Sequence, residues 1–343
     1  MKGVRRRPDF RMLAQVLEKQ RPARATLFEM MLNDEVERRL AGSLYCVDTP
    51  EHRLCTRIAA FAAAGYDYAT MHASSFHFRT AEHTGTGGQT VSLNDSLIAD
   101  RAGFDRYVWN EPEDFTLEPF EKAAQTLPDR MKIIVYCPCG VLENAVAIAG
   151  YENLCLMAYD DEQLMWDLFE QIGSRLVRYL RRVLDYDFVG AVMCNDDWGF
   201  NTQTMLAPAD MRRFVFPWHK QMVADAHEKG KYALLHSCGN YTAILDDVID
   251  DMRFDGRHSY EDAIIPVEQA YEDYRGRIAV LGGIDMDFLA RSPVQAIQQR
   301  CQAMLERADR RGGYALGSGN SIAPYVPFEN YMAMLQVVYD TDR

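Results

Sequence analysis

The chain has 343 residues, 37 basic and 50 acidic, for a formal net charge of −13. Apolar residues make up 48% and charged residues 25%, a globular balance that excludes a disordered chain. No run approaches the roughly 18 uncharged apolar residues of a membrane span, and the acidity argues against nucleic acid as a partner.

The N-terminal MKGVRRRPDF has no apolar segment behind it, so a secretory leader is not expected. Arg5, Arg6 and Arg7 read as a solvated tail. Eight cysteines are too sparse for a disulfide scaffold and are expected as reduced thiols in a cytoplasmic protein. Short β-rich runs then recur at 26–30, 66–71, 132–136, 188–193, 232–236, 254–258, 278–281 and 314–316. They are apolar on both faces, as in a parallel sheet covered by helices. Helical stretches fall between them at 161–184, 208–230, 242–251 and 293–311, with Pro217 expected to break or kink the second. In the first, Leu164, Leu168, Ile172, Leu176 and Leu180 form one apolar stripe. Eight alternations predict an α/β fold, a (β/α)8 barrel forming one domain over 1–343. An open doubly wound sheet is the alternative, but no Gly-rich turn follows the first run. Residues 73–128 exceed what one crossover helix needs. They are read as an insertion over the barrel mouth, made flexible by Gly85, Gly87 and Gly88.

Barrel chemistry belongs at the C-terminal ends of the strands. In chain order these ends offer Glu29, His72, Cys137-Pro-Cys139, Asn195-Asp196-Asp197-Trp198, His236-Ser-Cys238, His258-Ser-Tyr-Glu261, Asp285 and Ser318-Gly-Asn320. A purely structural barrel needs no charge there. His236 and Cys238 lie two apart, so a strand turns both to one face, and nitrogen plus sulfur suits Zn2+. A core histidine beside a buried cysteine fits the same spacing. Glu261 offers a carboxylate at the next strand end. Asp196, Asp197 and His72 are the candidate acid–base groups. Glu29, Trp198, His258, Asp285 and Asn320 are the candidate substrate contacts. Cys137-Pro-Cys139 reads as packing or a turn. His52, His77, His83, His219 and His227 show no partner pattern.

These blocks, with Ile98-Ala-Asp100-Arg101, Pro112-Glu-Asp-Phe115, Gly140-Val-Leu-Glu143 and Val326-Pro-Phe-Glu-Asn330, resemble the uroporphyrinogen decarboxylase superfamily. The chain is most similar to its methyltransferase branch, which includes methylcobalamin:coenzyme M and corrinoid-linked O-demethylase enzymes. The resemblance implies a (β/α)8 barrel. It implies zinc on His236 and Cys238, with Glu261 matching a glutamate ligand of a related barrel, cobalamin-independent methionine synthase. The branch's last cysteine ligand aligns with Asn320, whose carbonyl coordinates zinc only weakly, which implies either three protein ligands and an open position or loss of the metal. The implied activity is methyl transfer between a small methylated compound, such as a methyl ether, and a corrinoid on a partner protein. Transfer from a methyl-corrinoid to a thiol, decarboxylation of a porphyrinogen-like or other carboxylate, and a binding role without catalysis are the rivals. Porphyrinogen decarboxylases carry an arginine-rich segment near the N-terminus, where this chain has Phe28-Glu-Met-Met-Leu32.

Overall fold

A computed structural model describes residues 6–80 and 96–341. Seven parallel strands lie side by side in chain order: β1 (Tyr68–Met71), β2 (Lys132–Tyr136), β3 (Val189–Asn195), β4 (Tyr232–His236), β5 (Gly256–His258), β6 (Ala279–Leu281) and β7 (Tyr314–Ala315). The segment 26–30 takes the eighth place. Leu27 bridges Leu316 in parallel, and Phe28 N and Leu316 N donate to Leu316 O and Thr26 O. On its other side the contact to β1 runs through side chains. Tyr68 Oη accepts from Glu29 N at 2.6 Å, and Thr70 Oγ1 donates to Met30 O. A tyrosine hydroxyl thus stands where a ladder partner was expected, and segment 26–30 is a bridge rather than a full strand.

The strands are buried on both faces because helices cover the outside. Helix α1 (Arg11–Leu17) closes the N-terminal end: Leu13, Val16 and Leu17 are buried, and Gly256, where β5 begins, leaves room for Leu17. The element order continues through α2 (Asp34–Ala41), α3 (Pro50–Ala63), α4 (Arg101–Arg106), α5 (Glu118–Ala124), α6 (Val141–Ala149) and α7 (Tyr151–Asp160). Helix α8 (Glu162–Leu184) carries the expected stripe, every residue of it buried. Each such leucine stabilises by about 1.5–3 kcal/mol relative to exposure. Asp161 caps the helix by accepting from Leu164 N at 3.0 Å, and Arg181 and Arg182 close it.

Pro217 does not end the helical run but coincides with a distortion of it: a short α9 (Pro208–Asp210), a wide π-type turn, Met211–Val215, and α10 (Phe216–Glu228) follow one another directly, and the irregular turn lies immediately before Pro217. The expected helix at 242–251 is instead a 3-10 turn, Thr242–Ile244, and a π-type turn, Asp247–Asp251. Beyond it come α11 (Val267–Tyr274), α12 (Met286–Arg291), α13 (Val294–Asp309) and α14 (Phe328–Thr341). Arg6 is not a solvated tail residue: it is buried and donates to Ala25 O. Of the insertion at 73–128, Gly85, Gly87, Gly88 and His83 lie outside the described residues. The described parts rest against α8, through Phe76 stacked on Tyr179, Arg101 paired with Asp167, and Glu111 paired with Arg175 and Arg178. No helix among the described residues is long and apolar enough to cross a membrane.

Candidate metal centre at the barrel mouth

Strand register brings the site together. Asn195 pairs with His236, and His236 with His258, so the last residues of β3, β4 and β5 lie at one level. Just above them, ligand atoms of Asp197, His236 and Cys238 all fall within 4.8 Å of one another. His236 Nε2 is 3.7 Å from Cys238 Sγ. Asp197 Oδ1 accepts from Cys238 N at 2.8 Å, tying the loop after β3 to the loop after β4. Two glycines allow that approach. Gly239 has φ +82°, and a Cβ there would lie 1.9 Å from Gly199 O. Gly199 N donates to Cys238 O at 3.3 Å, and Asn240 N to Phe200 O at 2.7 Å.

The histidine tautomers follow from their partners. His258 Nε2 lies 3.2 Å from Ser318 O, a carbonyl that only accepts, so Nε2 carries the proton. His258 Nδ1 is then an acceptor, and it lies 2.8 Å from His236 Nδ1, which therefore donates to it. This leaves a lone pair on His236 Nε2, facing Cys238. Burial pushes His236 down to about 4 and His258 well below its ordinary value, so both rings are neutral. A metal-binding imidazole needs this state, with its second nitrogen held by a neighbour.

The relay ends at Glu29. Ser318 Oγ donates to Asn320 O at 2.6 Å, again a pure acceptor, so its lone pairs face Glu29 Oε1. Glu29 supplies the proton of that contact. Burial pushes its carboxyl up to about 8, in agreement with that inventory. Glu29, a candidate substrate contact, is wholly buried and holds Ser318. His258 is equally buried, and it acts by orienting His236.

Cys238 is surrounded by donors and by negative charge. Asn320 Nδ2 donates to Sγ at 3.2 Å, and Ser259 Oγ at 3.5 Å. Burial, with Asp197 and Glu261 nearby, holds the thiol well above its usual value. Burial also raises Asp197, and burial with Asp197 and Asp196 raises Glu143. A divalent cation would relieve this crowding and draw off the thiol proton. In tetrahedral zinc geometry, ligands at about 2.3 Å for sulfur and about 2.05 Å for nitrogen stand about 3.6 Å apart. The His236–Cys238 separation of 3.7 Å fits that edge, and the donor set fits zinc.

Several expectations change. Glu261 is outside the group of three: it accepts from Gly239 N at 3.3 Å, and Asp197 supplies the carboxylate instead. Asn320 does not offer its carbonyl to a metal, because Oδ1 accepts from Ser321 N at 2.8 Å. Asp196 points away from its neighbour, as alternate strand residues do. Its carboxylate accepts from Val141 N, Leu142 N and Glu143 N at 3.0, 3.0 and 2.9 Å, at the N-terminus of α6. His219 Nε2 completes the set at 2.9 Å from Asp196 Oδ2, so Asp196 is an anchor and not an acid–base group. Trp198, a candidate substrate contact, is fully buried among Phe216, His219 and Tyr241. Asp285 caps α12 through Phe288 N at 3.0 Å and holds Asp262 N at 2.9 Å. His72 packs on the Tyr136 ring and donates Nδ1–H to Tyr136 O at 3.2 Å. Burial pushes it down to about 4, and it is not part of the convergent group. Sequence reasoning missed His219 and Glu143. His219 meets Asp196 only through the packing of α10 on β3, which no spacing rule encodes. Glu143 was legible only as part of a motif.

Parallel strands in chain order, helices outside and reactive groups at the C-terminal strand ends define a (β/α)8-type enzyme fold. Residues 86–341 match the uroporphyrinogen decarboxylase (URO-D) family, and the chain belongs to that family of enzymes. A uroporphyrinogen decarboxylase of Sorangium cellulosum is 23% identical over 255 residues, covering 72% of this chain and 70% of its own. Another, of Carboxydothermus hydrogenoformans, is 25% identical over 190 residues, 52% of this chain, and this chain spans only 50% of that relative's length. Among solved structures, a methyltransferase from Methanosarcina mazei superposes with a TM-score of 0.70 over 97% of this chain and 98% of its own, at 15% identity. That likeness is one of fold.

Proposed function

We propose that this protein is a methyltransferase that moves a methyl group between a small methylated compound, a methyl ether by class, and the cobalt of a corrinoid carried on a partner protein. The observation that carries the reading is the convergence of a neutral imidazole lone pair, a thiol and a carboxylate within 4.8 Å. Asp197, His236 and Cys238 would hold zinc, which supplies Lewis acidity toward an oxygen or sulfur when bound. His258 and Ser318 orient His236 through their hydrogen bonds. Asn320 and Ser259 share the charge of the Cys238 sulfur as its proton leaves. Burial, with Asp197 and Asp196 nearby, raises the proton affinity of Glu143. A proton held on Glu143 would suit a leaving alkoxide. The chain's main work is then to place the methyl carbon in line and to exclude water.

Decarboxylation is the second reading, favoured by the activity named for the curated relatives. Against it stands the charge at the mouth. The charged groups weighing on Cys238 are Asp197 and Glu261, which repel a polycarboxylate.

The test is anaerobic. Zinc-loaded protein is mixed with cob(I)alamin and a panel of methyl ethers, and the visible spectrum is followed for methylcobalamin. We expect one ether to be consumed, with the rate abolished by Cys238→Ala. Carbon dioxide release from uroporphyrinogen, with no methylcobalamin from any ether, is the result that contradicts it.

A further inference from the structure

A second group of metal-ligating side chains lies far along the chain from the mouth residues, in the loop that leads into α3 and the first turn of α3. Cys46 Sγ lies 3.3 Å from His52 Nδ1 and 3.5 Å from Asp48 Oδ2, and all three ligand atoms fall within 4.8 Å of one another. We propose that Cys46, Asp48 and His52 form a second divalent-metal site, selective for zinc-like ions, that staples the loop between α2 and α3.

The geometry suits an ion as well as a thiol that donates to Asp48 and accepts from His52 Nδ1–H, because the three ligand atoms converge on one another. Zinc ligands of sulfur with nitrogen or oxygen stand about 3.6 Å apart in tetrahedral geometry, close to both separations. The loop is also held in place before any ion arrives. Buried Thr56 accepts from Cys46 N at 2.8 Å and donates to Cys46 O at 2.7 Å, fixing the backbone that carries the thiol. Thr49 caps α3 by accepting from His52 N at 3.1 Å, fixing the backbone that carries the imidazole. Asp48 has no basic partner among the described residues. One thiolate, one imidazole and one carboxylate suit zinc better than calcium or magnesium. Asp48 and His52 are exposed, so water completes the coordination.

This inference does not depend on the methyl-transfer reading, and the test separates the two. Full-length protein is stripped with chelator, reloaded in zinc buffer, and its zinc counted for the wild type, Cys46→Ser and Cys238→Ser. We expect two zinc ions per wild-type chain and one in each variant. His52→Gln should weaken the Cys46 site by at least about tenfold, since even outer-shell losses cost that much. Cobalt loaded into Cys238→Ser should show a thiolate-to-cobalt charge-transfer band that disappears with Cys46→Ser added. If only the mouth site is absent, the wild type binds one ion and loses it with Cys46→Ser, which still supports the loop site. The proposal is overturned if Cys46→Ser and His52→Gln leave zinc content and affinity unchanged. Should Cys238→Ser fail to fold, the comparison of wild type with Cys46→Ser decides alone.

Discussion

Asp196 and Asp197 are adjacent and do opposite work. Asp196 is sealed beneath the mouth, holding three amides of α6 and His219, whereas Asp197 faces Cys238. Asp196→Asn leaves His219 without its counter-charge and should cost about 3 kcal/mol in urea unfolding. The sequence showed two carboxylates but not which way each turns, because the pleat that separates them depends on where β3 ends. HxC was legible since its spacing of two is the strand repeat itself. The placement of Asp197 beside that pair was not, because it comes from a neighbouring loop whose reach depends on Gly199 and Gly239. Protonation gives a second test at this scale. Burial would lower His219, but its bonds to Asp196 and Cys194 raise it from 6.5 to about 9. Its contribution is full below pH about 6.5 and is lost as pH rises toward about 9. Glu29, raised from 4.5 to about 8, acts in the same direction: the folded state keeps a proton that the unfolded chain has released. Glu29→Gln should therefore gain stability relative to wild type as pH rises from about 4.5 to about 8. His72, lowered to about 4, works the other way, its contribution present above about 6.5 and lost as pH falls. Urea midpoints of wild type and Glu29→Gln across this range check the sign; a constant difference would show that Glu29 does not retain its proton.

At the scale of elements, α8 followed directly from its leucine stripe and its capping Asp161, since period and caps are local. The 242–251 segment did not. Its apolar Ile244, Val248 and Ile249 are buried as a helix would bury them, but the chain reaches them through 3-10 and π-type turns. Hydrophobic period cannot distinguish these from an α-helix over so few residues. The loops after β3 and β4 are the elements on which the site depends. Gly239→Ala adds a Cβ 1.9 Å from Gly199 O at a φ of +82° and should cost more than about 3 kcal/mol. Gly276, at φ +79° with nothing within 4 Å, is the control, and Gly276→Ala should cost about 1 kcal/mol. Thermal melts give both figures, and zinc content should fall only in Gly239→Ala. Equal losses would mean that the loop contact does not position the centre.

For the whole molecule, eight alternations of strand and helix were enough to indicate the barrel, because each parallel strand must be followed by a crossover that covers it. Closure was less legible. Segment 26–30 meets β1 through Tyr68 and Thr70 side chains, a detail of packing and not of pattern. The ring nonetheless sets Asn195, His236 and His258 at one level, and the metal proposal rests on that register. Zinc-edge X-ray absorption on the Cys46→Ser protein, which isolates the mouth, tests the proposal most directly. We predict one sulfur at about 2.3 Å with nitrogen and oxygen at about 2.0–2.2 Å, and loss of the sulfur when Cys238→Ala is added. A zinc-free protein after loading, or a coordination shell without sulfur, would contradict it.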